Sequence, residues 1–364
     1  MLLAILQQLQ SRYPDATYAM EPNFGGSQPI RKIVGLGMRP KAPVFIKGSP
    51  CGSLASAVPK AFRDRLGFVV DHEIDMVLDA SGFSYGDQWG IQSTTELLRL
   101  TKRWKRQGAK VVLMPQSFGP FSSSAIRRDI KAVAGSVDLI MPRDQHSHVS
   151  LLEAAGPMPN IHLYGDFTNL IAAQTSDQLG IPQNASCLVP NHKMLSHASN
   201  EERSLYVGFM VRCARRLFAL DANPFILIHE GNRDVQLAQL IAAKFDGNLP
   251  ILTEHNPMRV KGIIGSCTTL IGSRYHALVS ALSQGVPCLG TGWSHKYREL
   301  FRDYGKPEWL LSADVHDHVL TDKINLLINS TTRQEQSQAL LRQSAQLKLK
   351  SKEMWELIFR TIET

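Results

Sequence analysis

The sequence predicts an α/β protein of two domains, each a doubly wound parallel sheet with helices on both faces. Short apolar runs alternate with helical stretches along most of the chain, and a polar stretch interrupts this alternation near the middle. The 364 residues suffice for two domains at roughly 100–200 residues each. We expect two domains that face one another across a cleft, residues 1–175 and 186–331, followed by a helical segment, residues 332–364.

The strand candidates are short and apolar, as is typical of parallel strands buried on both faces. In the first half they are Val44–Ile46, Met76–Ala80, Val111–Pro115, Leu139–Met141 and Ile161–Tyr164, with helices at Thr94–Arg106, Ala125–Ala134 and Gln145–Ala155. After the polar stretch Gln174–Asn184 they are Cys187–Val189, Phe225–His229, Thr269–Gly272 and Pro287–Gly290, with helices at Ser204–Leu220, Val235–Phe245 and Tyr275–Ser283. Ligands of such sheets bind at the carboxyl ends of the strands, so the loops after the strands are the candidate sites.

Composition argues against several classes of protein. Apolar residues make up 43% and charged residues 20%, which is ordinary globular usage. No apolar run reaches the roughly 18 residues of a membrane-spanning helix, and the opening MLLAILQQLQSRYPDA lacks the basic stretch of a secretory signal. The five cysteines are far apart and form no CxxC pair, which argues against a disulfide scaffold or a common zinc module. We therefore expect a cytoplasmic protein.

The net charge of +8 is compatible with nucleic acid, an anionic membrane surface or an anionic small substrate. The basic residues are dispersed in short groups, and no zinc-finger, RNP or KH pattern is present, so we expect no nucleic-acid partner. The basic helical stretch Arg342–Lys352 leaves peripheral contact with the inner face of the membrane open. A solvated helix face is the simpler interpretation of that stretch.

The segment Thr268–Thr291 carries the strongest chemical signal. A strand ends at Gly272, and Ser273 is the expected N-cap of the following helix. Arg274 and His276 then fall in the first turn, where free backbone N–H groups favour an anion. A guanidinium can grip a phosphate or carboxylate bidentately, and an imidazole can donate a proton near neutral pH. The simpler alternative is that Arg274 pairs with a surface acid and His276 packs locally.

Loops in the first half carry weaker signals. Arg143 follows a strand and precedes Asp144, a candidate helix N-cap, so its side chain is expected at the strand's carboxyl edge. A surface pair of these two residues is an equally good interpretation. Asp166 is expected to be an N-cap. Two further loops offer polar side chains and backbone N–H groups to a substrate, and their candidate residues are Asp79, Ser81, Gly82, Gln116 and Ser117.

Taken in order, five segments resemble the polysaccharide pyruvyl transferase family. They are IDMVLDASGF, VVLMPQSFGPF, LIMPRDQHSHVSLLEAAG, IHLYGDFTNL and TTLIGSRYHALVSALSQGVPCLGTGWSHKYRELFRDYG. The most specific of them is the RxHA segment with its downstream GxP and Lys296. The resemblance implies a GT-B-like fold of two Rossmann-like domains, with the C-terminal helix returning to the first domain.

The resemblance implies transfer of pyruvate from phosphoenolpyruvate to sugar hydroxyls, forming a ketal on an exopolysaccharide or another cell-envelope glycan. The acceptor is then a sugar or a lipid-linked glycan, and no metal or other cofactor is implied. Arg143 and Arg274 from opposite domains would clamp the anionic donor, and His276 would protonate its methylene carbon. Lys296, with Ser294 nearby, would neutralise the departing phosphate. The donor-binding candidates are Arg143, Ser273, Ser294 and Lys296.

This sequence departs from the family pattern in two places. Members generally have a strand and a Gly-Asn-x-Gly-Asp loop before a helix that resembles Met1–Tyr13, where this sequence begins. The usual triple-glycine stretch reads Ala80–Ser81–Gly82–Phe83, whose side chains narrow the approach to the backbone, so we expect an altered acceptor site. Two alternatives stay open: a nucleotide-sugar glycosyltransferase of the same architecture, and a glycan-binding member without catalytic activity.

Overall fold

The structure, a computed structural model, describes residues 1–22, 30–42, 45–46, 49–50, 55–174, 181–182, 184–229 and 231–364. The chain divides into two compact units, residues 1–165 with 353–364 and residues 166–352. Val44 of the first predicted strand lies outside the described residues, and so does most of the polar stretch Gln174–Asn184. The last helix begins in the second unit and ends in the first.

The first unit opens with a helix and several very short elements. Two strand pairs form, one parallel and one antiparallel. The elements are α1 (Leu2–Arg12), β1 (Ala19–Met20), α2 (Ile30–Gly35), β2 (Arg39–Pro40), β3 (Phe45–Ile46), β4 (Ser49–Pro50) and α3 (Lys60–Leu66). Phe45–Ile46 of the predicted strand Val44–Ile46 form β3, so this prediction is confirmed for its described residues. The strands β1, β2 and β4 are also two residues long, too short to be recognised from the sequence.

The main sheet of the first unit has, among the described residues, three parallel strands in the order β5–β6–β7. The elements are β5 (Met76–Asp79), α4 (Ile91–Arg106), β6 (Lys110–Gln116), α5 (Ser124–Ala134), β7 (Leu139–Pro142) and α6 (Gln145–Ala155). The central strand β6 is buried almost throughout, as its apolar run predicts. The predicted strand Ile161–Tyr164 is wrong. This fully described segment follows β7 through backbone hydrogen bonds but forms only one isolated bridge, from Ile161 to Ile140.

The second unit contains, in its described part, five parallel strands in the order β10–β9–β8–β11–β12. The strands are β8 (Ser186–Val189), β9 (Pro224–Ile228), β10 (Ile251–Thr253), β11 (Thr269–Gly272) and β12 (Cys288–Gly290). The helices are α7 (Asn200–Phe218), α8 (Asn232–Ala242), α9 (Pro257–Gly265), α10 (Tyr275–Leu282), α11 (His295–Asp303), α12 (Asp317–Ile328) and α13 (Ser330–Glu363). The chain winds outward from β8 in both directions, which creates a crevice between β8 and β11 at the carboxyl ends of these strands.

The end of α13 packs against α1 in the first unit. The rings of Tyr13 and Phe359 meet edge to face, with their centroids 5.9 Å apart. Arg12 forms an ion pair with Glu363 at 2.8 Å. Trp355, one turn before Phe359 in α13, is almost completely buried. These contacts explain why the last residues of the chain belong to its first unit. Within the described ranges, no helix is both long and apolar enough to cross a bilayer.

Candidate active site

The loops that follow β8 and β11 are tied together at the carboxyl edge of the second unit's sheet. The side-chain amide of Asn191, in the β8 loop, donates to the carbonyl oxygen of Ser273 at 2.8 Å. The hydroxyl of Tyr297 donates to the same oxygen at 2.9 Å. These bonds fix the backbone immediately before Arg274, at the crevice where ligands of this architecture bind.

Ser273 is not the N-cap of α10, so this sequence prediction is wrong. The cap position belongs to Arg274, and no side chain in the described part of the structure caps the helix. Ser273 is fully buried, and its hydroxyl instead bonds the hydroxyl of Tyr206, which also accepts the backbone N–H of Asn191 at 3.0 Å. This buried link directs the serine away from the helix end. A direct donor-binding role for Ser273 stays a prediction.

Arg274 is held by Asp234, which lies in the first turn of α8. The guanidinium Nε donates to Oδ2 of Asp234 at 2.7 Å, and Nη2 bonds the same oxygen. The side chains are 11% and 3% exposed, so the partner is a buried acid and not the surface acid of the simpler alternative. Burial lowers the pKa of Arg274 to about 10, which leaves it charged at neutral pH.

The other oxygen of the Asp234 carboxylate bonds His192. The backbone N–H of His192 donates to Oδ1 at 2.9 Å, and the ring Nδ1 lies 3.0 Å from the same atom. Sequence reasoning missed both residues. The available signal was their position, since His192 follows β8 and Asp234 follows β9, just as Arg274 follows β11.

His276 lies in the first turn of α10 and is the accessible histidine of this segment. Its side chain is 45% exposed, and its Nε2 is 3.9 Å from Oδ2 of Asp166. Asp166 also caps the short helix Phe167–Leu170 through the backbone N–H of Thr168 at 2.9 Å, as predicted. His276 therefore combines access to a ligand with a carboxylate neighbour.

Lys296, in the first turn of α11, lies among three aromatic rings. Its ammonium is 5.4 Å from the ring centroid of Tyr275, 5.0 Å from that of Trp293 and 5.4 Å from that of Tyr297. Cation–π attraction favours a charged ammonium in this place. Ser294 occupies the N-cap of the same helix, and its buried hydroxyl has no hydrogen-bond partner among the described residues. The start of α11 therefore adds the ammonium of Lys296 and the hydroxyl of Ser294 to the carboxyl edge of the sheet.

Gly292 allows the ring of Tyr297 to lie directly on the loop backbone. A Cβ atom at this position would be 2.1 Å from Cγ of Tyr297. We expect Gly292→Ala to displace the ring and to lower the free energy of unfolding by about 1–3 kcal/mol, as overpacking does. Urea unfolding measures this loss. The control is Gly208→Ala in α7, where nothing lies within 4 Å and a gain of about 0.5–1 kcal/mol is expected. Equal effects of the two variants would contradict the packing argument.

The carboxyl edge of the second unit is rich in positive groups. Burial lowers the pKa of Lys193, and the charge of Arg274 lowers it further. The pKa of His197 is lowered by burial and by the neighbouring Lys193 and His192. Mutual repulsion of cations in a partly buried place is relieved by a bound anion. The arrangement is therefore suited to an anionic ligand.

The acceptor-side candidates lie at the carboxyl edge of the first unit's sheet, where they bond mainly to one another. The buried carboxylate of Asp79 accepts the backbone N–H of Ser81 at 2.9 Å and the hydroxyl of Tyr85 at 2.6 Å. Burial raises the pKa of Asp79. Gly82, at φ +80°, completes the turn in a conformation that favours glycine. These contacts shape the loop, and binding of a sugar by these residues stays a prediction.

The second loop of the first unit is also internally bonded. Arg143 Nη2 donates to the hydroxyl of Ser117 at 2.9 Å, and that hydroxyl donates to Asp144 at 3.1 Å. Asp144 accepts the backbone N–H of Ser147 at 2.7 Å, so its predicted N-cap role is confirmed. Gln116 is fully buried, and its Nε2 lies 3.5 Å from the carbonyl oxygen of Asp79. The structure thus brings Arg143 together with the acceptor candidates, and Arg274 with His276, Ser273, Ser294 and Lys296 in the other unit.

Comparisons with known proteins agree with this architecture. A family model for polysaccharide pyruvyl transferases matches residues 1–295. Among solved structures, HepE of Anabaena in complex with UDP-glucose is 12% identical, with 99% of this chain and 95% of that chain covered and a TM-score of 0.59. A Listeria monocytogenes protein described as a UDP-N-acetylglucosamine 2-epimerase is 12% identical, with 93% and 87% covered and a TM-score of 0.54. No curated protein sequence matches significantly. The predicted α/β fold of two Rossmann-like domains, similar to GT-B enzymes, is confirmed.

Proposed function

Because the chain belongs to the polysaccharide pyruvyl transferase family, we propose that it transfers pyruvate from phosphoenolpyruvate to sugar hydroxyls of an exopolysaccharide or cell-envelope glycan. The observation that carries the proposal is the concentration of Arg274, Lys193 and Lys296 at the carboxyl edge of the second unit's sheet. Phosphoenolpyruvate carries a phosphate and a carboxylate, and both are stabilised by cations and by free helix N-termini.

Each residue of this edge has a role in the proposed reaction. Arg274, oriented by Asp234, binds an anionic group of the donor, and Lys296 stabilises the phosphate as it departs. His276 donates a proton to the methylene carbon of the donor, which makes the central carbon electrophilic. A sugar hydroxyl attacks that carbon, phosphate leaves, and a second hydroxyl closes the ketal.

Titration calorimetry with phosphoenolpyruvate tests the donor assignment. We expect saturable binding to the wild type and a dissociation constant about 10- to 100-fold higher for Arg274→Ala, because a charge-assisted hydrogen bond contributes about 1.5–3 kcal/mol. Arg274→Lys keeps the positive charge but loses the planar guanidinium that can bind an anion through two N–H groups. We expect this variant to bind phosphoenolpyruvate with intermediate affinity. Unchanged affinity in Arg274→Ala would contradict the assignment.

The matched control is Arg302→Ala. Arg302 lies in the same unit, is largely exposed and pairs with Glu299 at 2.7 Å, so its removal is expected to leave donor binding unchanged. UDP-glucose, the ligand of the HepE structure, is titrated in parallel. Binding of UDP-glucose without binding of phosphoenolpyruvate would favour the nucleotide-sugar alternative. Donor binding that never leads to transfer would favour a member without catalytic activity.

A further inference from the structure

The proposed function, on which this inference rests, requires a base as well as an acid. Ketal formation joins two sugar hydroxyls to the central carbon of phosphoenolpyruvate and releases phosphate. Both hydroxyl protons must leave, while one proton is added to the methylene carbon and one departs with phosphate. His276 supplies the proton for carbon, but no residue has so far been assigned to accept the proton of the attacking hydroxyl.

His192 has the hydrogen bonding that a general base needs. Its Nδ1 lies 3.0 Å from Oδ1 of Asp234, a carboxylate that is 3% exposed, while the imidazole itself is 26% exposed. A buried carboxylate accepts a hydrogen bond from Nδ1–H and so favours the neutral tautomer whose Nε2 carries the lone pair. Nε2 is on the opposite side of the ring from Asp234. The pair thus fixes both the orientation and the tautomer of the ring.

The same carboxylate places His192 beside the donor-binding arginine. Oδ1 of Asp234 bonds His192, and Oδ2 bonds Arg274. His192 and Arg274 are therefore neighbours on one buried carboxylate, at the crevice between β8 and β11. A donor bound by Arg274 would then present its central carbon toward this imidazole, where an attacking hydroxyl must lose its proton.

We propose that His192, oriented by Asp234, is the general base that accepts the proton of the attacking sugar hydroxyl. As the hydroxyl oxygen bonds the central carbon, its proton passes to Nε2 of His192 and His276 protonates the methylene carbon. The bond from the central carbon to the phosphate oxygen then breaks, and phosphate leaves with the proton from His192. The second hydroxyl attacks and returns a proton to His276, so both histidines regain their starting states. Asp234 is a positioning residue in this sequence of steps.

The charged and titratable groups around His192 come from three elements. Asp234 lies on α8, Arg274 follows β11, and Lys193 and His197 lie in the same loop region as His192. Substitution of His192 alone leaves these four groups in place. A change in the pH profile of the His192 variant therefore reports the loss of the imidazole itself.

The test compares His192→Gln with the wild type and with the control His318→Gln, which replaces an exposed histidine in α12. The assay measures phosphate released from phosphoenolpyruvate in the presence of a glycan fraction from the cells that naturally make this protein. Calorimetry measures binding of phosphoenolpyruvate to the same variants. We expect His192→Gln to turn over about 100- to 10,000-fold more slowly and to lose the decline in kcat at low pH. Its dissociation constant for the donor should change less than about threefold.

A second variant separates a chemical role from a structural one. His192→Ala should regain part of its turnover when imidazole is added to the buffer, which a purely structural defect would not allow. Turnover of His192→Gln close to the wild type, or a loss explained entirely by weaker donor binding, would overturn the base assignment alone. A wild type that neither binds nor consumes phosphoenolpyruvate would contradict the proposed function and the base assignment together.

Discussion

Replacing His276 with glutamine is expected to lower phosphoenolpyruvate turnover about 100- to 10,000-fold, since general acid catalysis contributes on this scale. The residue lies in the first turn of α10 with 45% of its side chain exposed, so few packing contacts are lost. Donor binding should be nearly unchanged, because the proposed function assigns donor binding to Arg274 and Lys296. Phosphate release in the presence of the glycan fraction measures the effect.

The control for His276→Gln is again His318→Gln, and circular dichroism checks that both variants keep the fold. His276→Asn provides a second substitution that also lacks an acid group. Retention of wild-type turnover in both His276 variants would exclude this histidine as the proton donor. An unfolded His276→Gln variant would contradict the small structural role expected of an exposed first-turn residue.

Removing the carboxylate of Asp234 is expected to lower the free energy of unfolding by about 3–5 kcal/mol, the usual cost of removing one partner of a buried ion pair. Asp234→Ala deprives Arg274 of bonds to Nε and Nη2 and frees the backbone N–H of His192. Because Arg274 stays charged at neutral pH, we expect the whole of this loss in unfolding free energy at neutral pH. The shift of the urea unfolding midpoint measures it.

Asp317→Ala is the matched control for Asp234→Ala. Asp317 pairs with Arg212 at 2.6 Å but is 81% exposed, and exposed pairs contribute only about 0–1 kcal/mol. The double variant Asp234→Ala with Arg274→Met should recover stability relative to Asp234→Ala, because the buried positive charge that Asp234 balances is then absent. Equal destabilisation by the two single alanine variants would contradict the account of Asp234 as a buried anchor.

Burial explains which strands the sequence could predict. In the second unit, β8, β9, β11 and β12 are buried along their length, so each appears as an uninterrupted apolar run. The edge strand β10 was missed because it is only three residues long and exposes Ile251 and Thr253. The parallel pair at the start of the first unit was missed for a similar reason, since its strands have two residues each.

Sequence distance explains which site residues were missed. Arg274 and His276 belong to one local pattern, a strand end followed by a helix start, and such a pattern is visible in the sequence. Asp234 is 40 residues from Arg274 and 42 from His192, so only the strand order brings them together. The incorrect N-cap assignment of Ser273 has the same origin, because its partner Tyr206 is 67 residues away.

The most direct test of the central claim is the transfer of label from phosphoenolpyruvate to a glycan. The purified chain is incubated with uniformly 13C-labelled phosphoenolpyruvate and the glycan fraction of the producing cell, and the product is examined by NMR and mass spectrometry. We expect label in an acid-labile ketal, with one phosphate released for each pyruvyl group and about 100- to 10,000-fold slower transfer by His276→Gln. No label from phosphoenolpyruvate, together with transfer of a hexose from labelled UDP-glucose, would contradict it.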